Sequence, residues 1–238
     1  MFDRPHHQRI AQLLSALNPE FLERTGCFFG GGTAIVLSLS EYRESVDVDL
    51  LCASPDGYRA LRETINNVSL GDILRAPVEL VREVRADRYG IRTVALVDGV
   101  AVKFEIVSEG RIDIFGDIDP VFGIPTLSRI DMYAEKLLAN ADRCLDKSAA
   151  SRDAIDLAMM IDHWGPIPEE AWAKARSAYG TSIDRAYHQA VEMISDEFYL
   201  RACLQKMQME PGLVERIPVL LTEAGPDSIL SDIRIPRP

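Results

Sequence analysis

The pattern of apolar and polar residues divides the chain into a first part with helices and strands and a second part with helices only. Apolar residues recur at helical spacing over 5–24, and 46–51 alternates with the period of two that is typical of a strand. Two further strand patterns, 92–97 and 100–107, are joined by Asp98-Gly99, a signal of a tight hairpin turn. The same analysis predicts a short apolar strand at 27–29, a buried helix at 34–39 after a glycine run, and a helix at 56–67.

From about residue 126 the pattern indicates only helices. Ser128, followed three residues later by Asp131, resembles a capping box at the start of a helix that extends to about residue 145. Further helices are predicted over 151–160, ended by Gly165-Pro166, and over 168–179, ended by Gly180, and helices continue toward a tail in which 235–238 cannot be helical. We therefore expect an α+β protein with two domains, 1–125 and 126–238, the second all-α.

The composition is that of a soluble globular protein. Of 238 residues, 47% are hydrophobic and 26% charged, which argues against disorder. No apolar run approaches the roughly 20 residues that cross a bilayer, and the start lacks the pattern of a signal peptide, so we expect no membrane association and a cytoplasmic location. The cysteines have no CxxC spacing and suggest neither a zinc site nor a disulfide framework: Cys27, Cys52, Cys144 and Cys203.

The net charge of −11 disfavours a protein that coats nucleic acid through a large positive field. It does not exclude local basic grooves. An enzyme that binds metal ions and triphosphates needs carboxylates, and an acidic surface also keeps a protein soluble. The net charge leaves these explanations open.

Asp47 and Asp49 are the first candidates for chemistry. Residues two apart on a strand point to the same face, so both carboxylates project together while Val46, Val48 and Leu50 point into a core. Mg²⁺, which prefers oxygen ligands, is a natural counter-charge for such a pair. A solvated strand face is the alternative explanation of a lone Asp-x-Asp.

Glu105 is a candidate third carboxylate. On the strand 100–107 it shares a face with Lys103, opposite Phe104 and Ile106. If this strand neighbours the strand of Asp47 and Asp49, three carboxylates converge, and such a set can hold two metal ions roughly 4 Å apart. An ordinary exposed pair of Glu105 with Lys103 is the alternative.

The glycine run Gly30-Gly31-Gly32 precedes Thr33 between a strand and a helix. Glycines let backbone N–H groups approach phosphate oxygens, a helix N-terminus favours negative charge, and the Thr33 hydroxyl adds a donor. Neither a P-loop nor a dinucleotide motif is present. A simple tight turn is the alternative.

Basic residues recur every seven positions on the helix that starts at Ser128. Arg129, Lys136 and Arg143 form a stripe, with Asn140 close to it, which could contact a triphosphate or a nucleic-acid backbone. A solvated helix face is the common alternative. On the next helix, Asp153 and Asp156 lie within one turn, where they could pair with the stripe or orient an acceptor hydroxyl.

The histidines suggest no site. His6, His7, His163 and His188 have no metal-ligand spacing, and His6-His7 is interpreted as a feature of the start of the first helix. The spacing of serine, histidine, cysteine and aspartate residues supports no Ser/His/Asp or Cys/His arrangement.

Two segments resemble a known family in the right order. GGTAIVLSLSEYRESVDVDL, with Gly31-Gly32 and Asp47-Val48-Asp49, resembles the signature of the DNA polymerase β superfamily and, more closely, that of the AbiEii/AbiGii-type nucleotidyltransferase toxins. The block from Glu135 through Arg143 to Arg152-Asp153 and Asp156 resembles that family's Lys-Leu…Arg…Asp-x-x-Asp-Leu motif. The resemblance covers residues from about 28 to 160 and leaves the rest of the C-terminal part outside.

The resemblance implies a polymerase β-like core with a mixed sheet flanked by helices, and roles for individual residues. Asp47 and Asp49 would bind Mg²⁺ (or Mn²⁺), with Glu105 as a third ligand. Lys136 would hold the triphosphate, and Asp153 or Asp156 would complete the catalytic set. The resemblance also implies that Gly31, Gly32 and Ser45 contact the nucleotide phosphates, and Thr33 and Arg143 are further candidates for nucleotide binding from the residue pattern.

The activity that the resemblance implies is transfer of an NMP from an NTP to an acceptor hydroxyl. Relatives belong to toxin–antitoxin and phage-defence systems, and some modify the 3′ end of tRNA, so NTP, tRNA and a cognate antitoxin are the expected partners. Transfer to a small molecule such as an antibiotic, or to a protein hydroxyl, is an alternative acceptor. A non-catalytic binding protein of the same fold is the third possibility, and intact Asp47, Asp49, Glu105 and Lys136 argue against it.

Overall fold

The computed structural model describes residues 2–226. Within this range the chain forms two compact units, which divide between Met132 and Tyr133. Helix α5 (Arg129–Arg143) crosses the division, so its first turn belongs to the first unit and its remainder to the second. Among the described residues every strand precedes α5, and the elements after it are helical.

The described part of the first unit contains a seven-stranded sheet. Its spatial order is β3-β4-β5-β2-β1-β7-β6. The pairs β2·β5 and β1·β7 are parallel and the other neighbouring pairs are antiparallel, which confirms the predicted mixed sheet. The strands are β1 (Cys27–Gly30), β2 (Asp47–Cys52), β3 (Glu79–Ala86), β4 (Gly90–Val97), β5 (Val100–Ser108), β6 (Gly116–Ile118) and β7 (Pro125–Leu127).

The three adjacent strands β4, β5 and β2 bury one face and leave the other at least partly exposed. The predicted hairpin of β4 and β5 is confirmed, and Asp98 and Gly99 in its turn both have positive φ, as a type I′ turn requires. The buried face forms much of the core of this unit with residues that are 0% exposed: Val48, Leu50, Ile91, Ala95, Val102, Phe104 and Ile106. The opposite face is therefore where the charged residues of these strands lie.

The helices of the first unit are α1 (Pro5–Ser15), α2 (Pro19–Thr25), α3 (Gly31–Ser38) and α4 (Pro55–Thr64). The predicted single helix over 5–24 is wrong, because it is broken before Pro19. The residue that precedes a proline disfavours the helical region, and Asn18 is extended (φ −93°, ψ 100°). The Asn18 side chain then accepts a hydrogen bond from the Phe21 amide and caps the new helix.

Three strands were not predicted. Strand β3 lies at the sheet edge with most of its residues exposed, so it has no apolar alternation to detect. Strands β6 and β7 have three residues each, which is too short for a period of two to be recognised.

The second unit contains the rest of α5 and helices α6 (Arg152–Trp164), α7 (Glu169–Tyr179), α8 (Ser182–Ile194), α9 (Glu197–Lys206) and α10 (Leu213–Glu223). Helix α6 is buried from Asp153 to Ile161 and contacts both α8 and α10, so it forms the centre of this unit. Trp172 is fully buried and meets the ring of Tyr187 edge-on, at 5.2 Å between centroids.

The structure agrees with the α+β prediction. The predicted helix over 168–179 corresponds to α7, which ends at Gly180 with a φ of 60°. The Ser128 hydroxyl accepts from the Asp131 amide at the start of α5, as the capping pattern indicated. Residues 235–238 lie outside the described residues. Within the described range, no helix has the length and apolar character that a membrane crossing requires.

Candidate active site

Asp47 and Asp49 project from one face of β2. Val48 and Leu50 are fully buried, whereas both aspartates are partly exposed. The expected burial of Val46 is wrong: Val46 is 46% exposed, because β2 begins only at Asp47. The Asp47 carboxylate has no hydrogen bond or ion pair within residues 2–226. A carboxylate pair of this kind, with one member uncompensated, is suited to binding a cation.

Gly31 is held against the Asp49 carboxylate. Strand β1 pairs with β2 so that Gly30 lies opposite Asp49, and α3 begins at the next residue. Gly31 has a φ of 67°, which favours glycine, and a Cβ at this position would lie 3.0 Å from Asp49 Oδ2. Gly30 thus ends β1 and Gly31 begins α3, and the lack of a Cβ at Gly31 lets the Asp49 carboxylate lie close to its backbone. Gly32 follows in the same turn.

The hydroxyls of Thr33 and Ser45 fix the start of β2. Thr33 Oγ1 donates to the Asp47 carbonyl at 2.6 Å, so the Ser45 hydroxyl must donate to Thr33 Oγ1, 2.7 Å away. Both hydroxyl protons are committed inside the protein in this arrangement. Their contact with a nucleotide stays a prediction, and their observed contacts position Asp47.

Two histidines that the sequence analysis set aside also contact this segment. His7 is fully buried, and its Nε2 accepts from the Ser45 amide at 3.0 Å. Its Nδ1 must then carry the proton and donate to Glu41 Oε1 at 2.7 Å, while His6 Nε2 donates to the Val46 carbonyl at 3.1 Å. Helix α1 thereby fixes the two residues that precede Asp47.

Glu41 joins the N-terminal segment to the loop after α3. Its carboxylate accepts from the backbone amides of Asp3 and Arg4 at 2.7 and 3.1 Å, as well as from His7. Partial burial raises the pKa of Glu41, but these donors lower it below its usual value overall. Burial lowers the pKa of His7, and Glu41 only partly opposes that shift. The imidazole is therefore held neutral, as its acceptor role requires.

Glu105 lies beside Asp49 as expected, but its side chain has other partners. Strands β2 and β5 are parallel neighbours with Asp49 opposite Glu105 and Asp47 opposite Lys103. The Glu105 carboxylate forms ion pairs with Arg92 at 2.6 Å and Lys103 at 3.3 Å. Within residues 2–226, no three carboxylate, imidazole or thiol groups stand together as a complete metal site. The role of Glu105 as a third metal ligand stays a prediction.

In the second unit, Lys136 forms a buried ion-pair cluster with Asp153 and Asp156. Lys136 Nζ lies 3.0 Å from Asp153 Oδ1 and 2.7 Å from Asp156 Oδ2, and each of the three side chains is at most 6% exposed. Arg143 adds two hydrogen bonds to Asp153, at 2.5 and 2.8 Å, and remains 40% exposed. Of the two roles suggested for the aspartates, pairing with the basic stripe is the one observed.

The cluster is electrostatically balanced, with two cations and two carboxylates. Burial raises the pKa of Asp153, but Lys136 and Arg143 outweigh it and bring that pKa to about 2. Asp153 is therefore ionised at neutral pH, and Lys136 is a buried partner rather than part of a solvated stripe.

A family model described as "Nucleotidyl transferase AbiEii toxin, Type IV TA system" matches residues 12–223. The chain belongs to this family. It is therefore a nucleotidyltransferase of a type IV toxin–antitoxin system, which implies an NTP as substrate and an antitoxin as partner. Nucleotidyltransferases generally also use a divalent metal ion. The match extends through α10 and so includes the helices after residue 160, which the sequence resemblance had left outside.

Solved structures support the fold assignment. The crystal structure of JHP933 from Helicobacter pylori superposes with a TM-score of 0.54 at 14% identity, over 98% of this chain and 97% of that one. A second H. pylori protein, described as a candidate nucleotidyltransferase, gives 0.53 at 15% identity, with 96% of each chain covered. At these identities the similarity establishes a shared fold. No curated protein matches the sequence.

Proposed function

We propose that this protein transfers an NMP from an NTP to the 3′-terminal hydroxyl of tRNA, with Mg²⁺ bound by Asp47 and Asp49. The observation that carries the proposal is the pair of aspartates on one face of β2, with Asp47 uncompensated and Asp49 close to the Gly31 backbone. Mg²⁺ is commonly held by one or two protein carboxylates and completes its shell with water and substrate phosphates. Two aspartates therefore meet its needs without a third protein ligand.

The chemistry requires positioning and charge compensation more than covalent work by the protein. The acceptor oxygen forms a bond to the α-phosphorus, the bond to the bridging oxygen breaks, pyrophosphate leaves and the hydroxyl proton is released. A bound divalent ion would supply charge neutralisation on the phosphates and orientation of the acceptor oxygen. The amides of Gly31 and Gly32, in the first turn of α3, are donors for phosphate oxygens, and Thr33, Ser45 and His7 hold Asp47 in place.

The Lys136 cluster has a separate part in the proposal. Asp153 and Asp156 hold Lys136 in a fixed position, and Arg143 is the member that reaches solvent. We assign Arg143 to a phosphate of the substrate and Lys136 to charge balance within the cluster. For Glu105 to act as a metal ligand, the metal ion would share the carboxylate oxygens with Arg92 and Lys103 or displace them.

The acceptor is proposed as tRNA because the family consists of toxins, and modification of tRNA 3′ ends blocks translation. We also propose that the protein acts in the cytoplasm and that its metal ion is Mg²⁺ rather than Mn²⁺.

The test is label transfer from each α-³²P-labelled NTP to total cellular RNA, with Mg²⁺, Mn²⁺ or chelator. Wild type is compared with Asp47→Asn, which keeps the shape and removes the charge, and with Asp98→Asn, the same change in the exposed β4–β5 turn. We expect a tRNA-sized labelled band from wild type and Asp98→Asn, and a loss of at least 100-fold in Asp47→Asn. If the label appears on protein or on small molecules instead, that molecule replaces tRNA as the proposed acceptor. If no label is transferred from any NTP, the result contradicts catalysis by this site.

A further inference from the structure

A row of charged residues crosses the sheet from Asp49 to the edge strand. The register places Asp49 of β2 opposite Glu105 of β5, Glu105 opposite Arg92 of β4, and Arg92 opposite Arg85 of β3. Residues that are directly opposite each other share a face of the sheet. Arg85 therefore lies on the same face as the aspartates, three strands away.

Arg82 lies on the same face as Arg85 because strand β3 has a register shift between the two residues. Arg82 is opposite Val94, and Val94 is opposite Lys103, which is itself opposite Asp47. Positions three apart on a regular strand point to opposite faces, but β3 has a register shift between Arg82 and Arg85. The bulge gives both arginines the same face, while Val84 between them is buried.

The positive charges of Arg82 and Arg85 are not neutralised by an ion pair within residues 2–226. Arg92 is neutralised by Glu105 and Asp87, and Lys103 by Glu105. Arg82 and Arg85 are exposed and have no ion pair or hydrogen bond from their side chains within residues 2–226. Glu83 is exposed within the bulge and forms no ion pair with them there. Free positive charge at this place is notable in a chain with a net charge of −11.

An exposed aromatic residue follows in the β3–β4 turn. Tyr89 is 57% exposed, and the guanidinium carbon of Arg88 lies 4.5 Å from its ring centroid. Asp87 accepts from the Tyr89 and Gly90 amides and so fixes this turn. An aromatic ring beside arginines is the combination on which the bases and phosphates of single-stranded nucleic acid bind.

We propose that Arg82, Arg85, Arg88 and Tyr89, the basic edge, bind the RNA acceptor strand upstream of its 3′ end. Neighbouring strands are about 4.8 Å apart, so β3 lies roughly 14 Å from β2. That distance corresponds to about four nucleotides at a stacked spacing of ~3.4 Å. A terminal hydroxyl at the aspartates thus places upstream phosphates over Arg82 and Arg85 and a base on Tyr89. This inference rests on the proposed function, in that RNA is the acceptor.

The experiment compares Arg82→Gln/Arg85→Gln with a charge-matched control, Lys147→Gln/Arg185→Gln. The control residues are exposed and without ion pairs in the described part of the chain. For the basic-edge variant we expect KM for RNA to rise about 10-fold with kcat and KM for NTP unchanged. The log–log slope of RNA affinity against salt concentration should weaken by ~0.7 for each phosphate that an arginine no longer neutralises. Arg82→Lys/Arg85→Lys keeps both positive charges and should restore the slope to that of wild type. Tyr89→Leu should weaken RNA binding but leave the slope unchanged.

The outcomes separate this inference from the proposed function. If wild type labels RNA and the basic-edge variant has the same KM and salt slope, the basic edge is not the acceptor surface. A rise in KM for NTP, and not for RNA, would assign the arginines to triphosphate binding. Loss of inhibition by the antitoxin, with unchanged RNA kinetics, would assign them to antitoxin binding. Either result overturns the inference. If wild type labels no RNA, the proposed acceptor fails, and an unchanged salt slope in direct RNA binding would then overturn the basic edge separately.

Discussion

The buried imidazole of His7 accepts a hydrogen bond from the Ser45 amide, 3.0 Å away and two residues before Asp47. We expect His7→Ala to leave that amide and the Glu41 carboxylate short of a partner and to lower the free energy of unfolding by roughly 2–3 kcal/mol. Urea unfolding at pH 7.5 measures this. His7→Gln keeps an acceptor and should recover part of the loss, together with nucleotidyl transfer. Equal stability of His7→Ala and wild type would show that the contact is energetically unimportant.

The same imidazole should make stability depend on pH. Burial lowers the pKa of His7 in the folded state below 6.5, although Glu41 opposes this, and Arg4 and His6 add to it. The unfolded state therefore binds the proton more readily. Stability is unaffected well above pH 6.5 and falls as the pH drops below 6.5, until the folded-state pKa is passed.

Unfolding free energies at pH 7.5 and 5.5 test this dependence. Wild type should lose more stability over this interval than His7→Gln, since the other titrating groups are common to both. Parallel losses in the two proteins would mean that His7 does not titrate differently on folding.

Gly31 and Asp49 allow a matched pair of glycine variants. Gly31→Ala and Gly99→Ala each place alanine at positive φ, which costs about 1–2 kcal/mol. Only at Gly31 would the new Cβ meet the Asp49 carboxylate, because nothing lies within 4 Å of a Cβ at Gly99. We expect a larger loss of stability from Gly31→Ala because of this close contact, and a fall in transfer rate of about 10-fold or more from Gly31→Ala alone. Equal transfer rates would indicate that the close approach of Gly31 to Asp49 is not needed for catalysis.

Asp153 should contribute stability that is lost in acid. Its pKa is about 2 in the folded protein against an ordinary value of 3.8, so the folded state binds the proton less readily. The contribution, roughly 2 kcal/mol, is present above pH 4 and disappears as the pH falls toward 2. Unfolding free energies between pH 5 and 3 should therefore fall more steeply for wild type than for Asp153→Asn. An exposed Glu192→Gln variant serves as the control and should follow wild type.

Periodicity predicted both strands at the site but not that they are neighbours. The alternation around Val48 and around Phe104 placed Asp47, Asp49 and Glu105 on exposed faces, and the parallel pairing of β2 with β5 brought those faces together. The solvated helix face that the spacing left open as an alternative does not apply to Lys136, which is buried. Spacing on one helix shows that residues are neighbours, but it does not show that Asp153 and Asp156 of another helix bury the lysine.

His7 and Arg82 could not be assigned from local pattern. His7 is 38 residues from Ser45, and a histidine at the start of a helix has no distinctive spacing. Arg82 and Arg85 share a face only because of a bulge, which appears when β3 pairs with β4.

By itself the sequence determined the α+β organisation, the family and the two aspartates on one face of a strand, because these follow from periodicity and from short contiguous motifs. Only the tertiary structure decided the partners of those residues. It placed the imidazole of His7 against the Ser45 amide, Gly31 against Asp49, Glu105 between two cations, and Lys136 between two carboxylates. Such contacts join elements that are distant along the chain, and a hydrogen bond or an ion pair depends on separations of a few ångströms that arise only when the elements pack.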